Sequence, residues 1–97
     1  MQDSNLEGAS ARNGSFTHVA LLGSSLEHAD FSGSNLERAR LKRANLRGAI
    51  FDQCNMQNSH LVRSDLTNAS FKNADLTGAT LNNAITDGAN FDGAQGL

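Results

Sequence analysis

The 97-residue chain has no tryptophan, no tyrosine and one cysteine, and it holds no run of apolar residues long enough to span a bilayer. Each absence closes a class of function. Without Trp or Tyr, base stacking has only five phenylalanines to draw on, and direct nucleic-acid binding is not expected. A lone thiol, Cys54, allows neither an internal disulfide nor a cluster of thiolate metal ligands, and it is compatible with a reducing cytosol. No basic start followed by an apolar core reads as a secretion signal, so a soluble, cytoplasmic protein without a membrane partner is expected. The formal net charge of −2 names no partner by itself.

What the chain does have is a period. Leu6, Ala11, Phe16, Leu21, Leu26 and Phe31 open a series that recurs at every fifth residue to Phe91, and only Ala11 and Thr86 in it are not large and apolar. Five fits neither a helix at 3.6 residues per turn nor a plain strand, so it describes a repeated supersecondary unit. Two residues before each bulky position stands a small one, as at Ala29, Ala44, Cys54 and Ser64. Alternation places the bulky and the small side chain on the same inward side and the residue between them outside. Two residues after the bulky position stand Gly8, Asn13, Gly23, Gly33, Gly48, Asn58 and their successors. These types tolerate the positive φ that the second central position of a type II turn requires. Each unit is therefore a very short strand followed by a corner.

Units such as Ala44-Asn45-Leu46-Arg47-Gly48 and Ala74-Asp75-Leu76-Thr77-Gly78 resemble the pentapeptide repeat family, and the resemblance covers essentially all of the chain. It implies an all-β fold, a right-handed parallel β-helix of square cross-section with four pentapeptides per coil. Phe31, Phe51, Phe71 and Phe91 supply an independent check, because they lie twenty residues apart and would stack as a core ladder only if four units close a coil. Ala29, Ala49, Ala69 and Ala89 repeat with them, so every rung pairs one bulky and one small residue. Residues 1–97 are expected to form one solenoid domain of just under five coils. At about 4.8 Å per coil it would be a rod of roughly 23 Å. No capping helix is evident at either end, so the end coils should present open strand edges and invite end-to-end association.

The register also sorts the outward residues. The wall centred on Leu21, Leu41, Leu61 and Leu81 carries Arg40, Lys42, Arg43 and Arg63 against Asp3 alone, a net +3, together with His60 and the outward apolar Leu22 and Val62. The other three walls hold four cations against nine carboxylates, a net −5. The basic wall is either a docking face for an acidic protein surface or phosphate-bearing ligand, or a solvated charged surface. Asp52, Lys72 and Asp92 form one vertical column and Glu27 lies one coil from Arg47, patterns that read as inter-coil ion pairs. Ile50 and Ile85 point outward, and the irregular Thr86 beside Ile85 marks the place to expect a slip of register.

Chemistry is hard to assemble from this chain. His18, His28 and His60 fall on different walls or coils, and Cys54 sits in an inward small-residue slot beside Met56. No catalytic residue, metal ligand, cofactor or small-molecule substrate is expected. Two non-enzymatic classes remain. One is a rigid scaffold that binds a protein partner or stacks on a second solenoid. The other follows from the resemblance: some pentapeptide repeat proteins mimic duplex DNA, bind type II topoisomerases such as gyrase and confer quinolone resistance. The weak acidity and the basic wall depart from that alternative.

Overall fold

A chain that turns every five residues leaves amides and carbonyls along each short edge, and the next coil satisfies them. In the computed structural model, which describes residues 3–97, bridging residues pair in parallel with the residue one coil on, from Asn5 with Ser25 to Asp75 with Gln95. Met1 and Gln2, at the start of the expected domain, lie outside the described residues. The bridging residue is the outward one between the small and the bulky position. Pairing is one residue long on each wall, shorter than the strand expected, and no helix occurs among the described residues. On the Leu26 wall, for example, the Leu26 amide donates to the Asn45 carbonyl at 2.7 Å and the Asn45 amide donates back to Ser24 at 2.9 Å.

The corners are more uniform than their residues. From Asp3 to Gly93 every second corner residue has φ between 55° and 75°. Gly and Asn are expected there, but Asp3, His18, His28, Arg38, Arg43, Gln53 and Arg63 adopt the same conformation. A left-handed L-residue costs roughly 1–2 kcal/mol, so the ladder must impose it. At Arg43 the residue's own amide donates to Val62 at 3.0 Å, and the Ala44 amide closes the turn onto Leu41 at 3.0 Å.

Inside, Phe31, Phe51, Phe71 and Phe91 stack as the period requires, with ring centroids 5.1–5.6 Å apart and planes within 14°. The first rung of that column is Ala11, and Phe16 from the adjacent wall fills the vacancy, meeting Phe31 edge-on at 5.4 Å. Its ring passes so close over Gly14 that a Cβ there would lie 2.5 Å from Phe16 Cε2. Gly14 is thus the small inward residue with no side chain because a ring occupies its place. The same corner uses a borrowed hydroxyl. Ser34 Oγ, one coil below, accepts from the Gly14 amide at 3.0 Å and donates to the Ala11 carbonyl at 2.6 Å, bridging the two ends of the turn. Ser59 Oγ, equally buried, has no hydrogen-bond partner among the described residues.

The stack is squat. Its Cα extents are 29 × 27 × 20 Å, so a height of roughly 23 Å, set by just under five coils at about 4.8 Å each, is comparable to its breadth. The expected slip beside Thr86 does not occur. Ile85 pairs with Asp65, its carbonyl accepts from Leu66 at 2.7 Å, and the Ala89 amide closes its turn onto Thr86 at 3.0 Å. Thr86 is exposed in the last coil, where its polar side chain displaces no packing partner. Ile85 does point outward, 49 % exposed, while Ile50 is half-buried. At the N-terminal side the core opens into an apolar cavity of about 130 Å³ lined by Leu6, Ala9, Ala11, Phe16, Val19, Leu21 and Phe31.

Candidate functional site

The coil register assembles the basic wall. Arg40 and His60 are paired across a parallel bridge, Leu41 donates to the His60 carbonyl at 2.8 Å, and Arg43 is held over Val62. Arg40, Lys42, Arg43, His60 and Arg63 are exposed, whereas Leu22 and Val62 are half-buried. In the vertical column of first corner residues, Leu22 and Val62 flank Lys42 on the coils to either side. An open groove of about 310 Å³ lies at one end of this wall, lined by Asp3, Leu22, Gly23, Lys42 and Arg43. Arg40, His60, Val62 and Arg63 continue the surface outside that groove. Gly23 has φ +67°, and a Cβ there would lie 2.5 Å from Asp3 Oδ1, so the missing side chain leaves room for the Asp3 carboxylate.

Of the four cations on the other walls, Arg12 and Arg47 are paired and Arg38 and Lys72, among the described residues, are not. Arg12 pairs with Asp30 at 3.8 Å, and Arg47 with Glu27 at 3.8 Å and Asp65 at 3.4 Å. Among the described residues, Arg40, Lys42, Arg43 and Arg63 form no ion pair. The Glu27–Arg47 pair read from the register therefore forms, but the Asp52–Lys72 pair does not. Asp52 Oδ1 instead accepts from the Ser70 hydroxyl at 2.5 Å and the Lys72 backbone amide at 3.1 Å, contacts that a short carboxylate reaches without ordering a long lysine.

A second pattern escaped the sequence reading. At Asn5, Asp30, Asn35, Asn45, Asn55, Asp65, Asp75 and Asn90 the outward bridging side chain folds forward, and its Oδ1 accepts from the amide two residues on at 2.9–3.1 Å. The signal was present as Asn and Asp recurring at positions divisible by five, types that make such turns readily. The carboxylates at Asp65, Asp75 and Asp30 are held below their ordinary range, first by hydroxyl donation from Thr67, Thr77 and Ser32 respectively and then by the same residues' amides.

Cys54 is buried, its Sγ lies 2.9 Å from the Phe31 carbonyl, and desolvation pushes its thiol up to about 11. A thiol so placed does not ionise near neutrality. His28 lies against Gly48, while His18 is exposed on another wall. Among the described residues no three His, Cys, Asp or Glu side chains are grouped to hold a metal ion, and no helix is long and apolar enough to cross a membrane.

With this geometry in hand, comparisons with known proteins give a consistent family. The family model for pentapeptide repeats matches residues 1–38, 39–78 and 74–95, in eight copies. A pentapeptide repeat protein of the Arabidopsis thaliana thylakoid lumen is similar at 27 % identity with a TM-score of 0.81, over 96 % of this chain and 63 % of its own. A trypsin-treated form of QnrB1, a plasmid-mediated fluoroquinolone resistance protein, is similar at 22 % identity with a TM-score of 0.78, over 89 % of this chain and 47 % of its own. The second likeness is one of fold alone. The chain spans less than two thirds of both structures. Known structures of such repeats are right-handed quadrilateral β-helices. Comparison with curated protein sequences gives no significant match.

Proposed function

We propose that this chain, which belongs to the pentapeptide repeat family, works as a rigid interaction module that docks an acidic protein surface on the wall of Arg40, Lys42, Arg43, His60 and Arg63. The carrying observation is electrostatic. Arg12 and Arg47 are engaged with carboxylates of the same chain, whereas among the described residues all four cations of this wall are unpaired and clustered, where Arg38 and Lys72, also unpaired, stand on separate walls. Like charges held one coil apart repel, and an external anionic surface relieves that repulsion. Leu22 and Val62 add apolar area beside the charges.

Charge reversal tests this. Arg43→Glu with Arg63→Glu is expected to abolish capture of protein partners from the native host, and reversal of Glu37 and Asp92 to leave it intact. Asp52 is unsuitable as a control because it holds Ser70 and Lys72. Capture indifferent to the first pair removes the proposal. The topoisomerase-directed alternative would act through the three walls of net −5, and inhibition in a supercoiling assay that survives reversal of the basic wall would favour it.

The apolar cavity of about 130 Å³ at the N-terminal side favours one further use of the fold. A coil of a second solenoid, from another copy or another repeat protein, would cover its apolar lining and continue the parallel ladder. A strictly monomeric species in concentrated sedimentation, together with no gain in melting temperature on fusing an in-register solenoid before residue 1, would refute that use.

A further inference from the structure

The capping Asn and Asp side chains stand on three walls and are missing from the fourth. On the basic wall the bridging positions hold Ala20, Arg40, His60 and Thr80, and none of them folds a carbonyl onto the amide two residues ahead. The backbone amides of Leu22, Lys42, Val62 and Asn82 consequently donate to no acceptor among the described residues. They belong to successive coils, so they form a vertical row about 4.8 Å apart. Among the described residues no other wall has two open amides in succession, because Asn or Asp caps interrupt the row, or Asp52 does so at Lys72. The open row, the unpaired cations and the groove at Leu22 and Lys42 coincide on one surface.

Resting on the reading of this wall as a docking surface, we infer that the amides of Leu22, Lys42 and Val62, flanked by Lys42, Arg43 and Arg63, form an oxyanion ladder that takes successive carboxylates from an acidic helix of the partner. Backbone N–H groups accept no proton and carry partial positive charge, so a row of them beside cations selects oxyanions over neutral polar groups. Spacing selects the helix. Side chains at i and i+3 or i+4 have Cβ atoms about 5–6 Å apart, close to the coil step of about 4.8 Å, whereas same-side residues of an extended strand are roughly 6.6–6.8 Å apart. Glutamate side chains absorb the small remaining mismatch. Leu22 and Val62, one coil either side of Lys42, meet apolar residues bordering the acidic stripe.

The test installs the missing caps without touching the four cations of the wall. Ala20→Asn gives the Leu22 amide the acceptor that Asn35 gives Glu37, and His60→Asn does the same for Val62. Asn already occupies such positions on this fold, so the variants are expected to fold. The full chain, labelled with 15N, is titrated with a synthetic helical peptide bearing Glu at i, i+4 and i+7. Its controls are a peptide of the same composition with Glu spread round the helix, a DNA duplex, and inorganic phosphate. The expected result is selective movement of the Leu22, Lys42 and Val62 amide resonances with the striped peptide, and weakening of its affinity on the order of tenfold in Ala20→Asn/His60→Asn. Ala20→Gln/His60→Gln removes the same alanine and imidazole, but its longer side chains cannot form the same tight turn, so it is the reference against which the Asn variant should bind more weakly. If Arg43→Glu/Arg63→Glu abolishes binding but Ala20→Asn/His60→Asn binds no more weakly than Ala20→Gln/His60→Gln, the ladder is refuted while the docking wall stands. If neither pair matters, both fall. Equal binding of the two peptides, or a response to DNA or phosphate alone, overturns the acidic helix as occupant.

Discussion

Truncating Phe51 to alanine should cost about 3–5 kcal/mol. The ring has no exposed surface and is stacked between Phe31 at 5.6 Å and Phe71 at 5.1 Å. Burial of a phenylalanine side chain accounts for about 1.5–3 kcal/mol, and each stacked contact adds about 0.5–1.5 kcal/mol. Collapse cannot recover much of this. The neighbouring rungs are pinned by backbone bonds, Phe31 to Ile50 at 2.8 Å and Phe51 to Ser70 at 2.7 Å. The molecule nevertheless contains its own solution for an alanine in this column, since Ala11 is tolerated where Phe16 leans in over Gly14. The equivalent triplet one position in the coil but two coils on is Phe51, Cys54 and Met56. Phe51→Ala/Met56→Phe alone should recover little, because the Cys54 Cβ occupies the path of the new ring. Adding Cys54→Gly should regain about half of the loss, less the cost of glycine in an extended unit, about 0.5–1 kcal/mol. Urea melts of the three variants, with Leu22→Ala as a half-buried control costing less than about 1 kcal/mol, provide the measurement. A triple variant no more stable than Phe51→Ala would refute the account of how Phe16 fills the first rung. A single variant no worse than Leu22→Ala would refute the ladder itself.

The buried serines should separate cleanly in the same melts. Ser34→Ala strands the Gly14 amide and the Ala11 carbonyl and should cost about 1–3 kcal/mol, whereas Ser59→Ala removes a hydroxyl without a partner among the described residues and should be neutral or stabilising; the reverse order would contradict the assigned bonds. Acid should destabilise the fold through Asp30, Asp65 and Asp75, whose carboxyls are depressed from 3.8. Their contribution is present in full above the unfolded value of 3.8 and is lost as pH falls through the lower folded values. Thr67→Ala/Thr77→Ala should flatten that dependence, and an unchanged acid limb in pH-dependent melting would refute the hydroxyl donation as its cause.

Much of this protein is determined by sequence order alone because the register converts position into place. Once every fifth residue points inward and four units close a coil, a residue's neighbours are those twenty before and after it, so the Phe31 to Phe91 ladder, the Glu27–Arg47 pair and the grouping of Arg40 with His60 could be read without coordinates. Other features required the tertiary structure, because competition among acceptors and rotamers within a few ångströms decides them. Asp52 reaches Ser70 and the Lys72 backbone before the Lys72 ammonium, and Phe16 leaves its own column for the space above Phe31. Arg43 and Arg63 take a left-handed corner that their residue type disfavours, since the amide ladders above and below permit no other path. The row of open amides on the basic wall lay between these cases. Its cause, the lack of Asn and Asp at positions 20, 40, 60 and 80, is written in the sequence. Its meaning appears only when the other three walls show those side chains turning back to cap their own backbone.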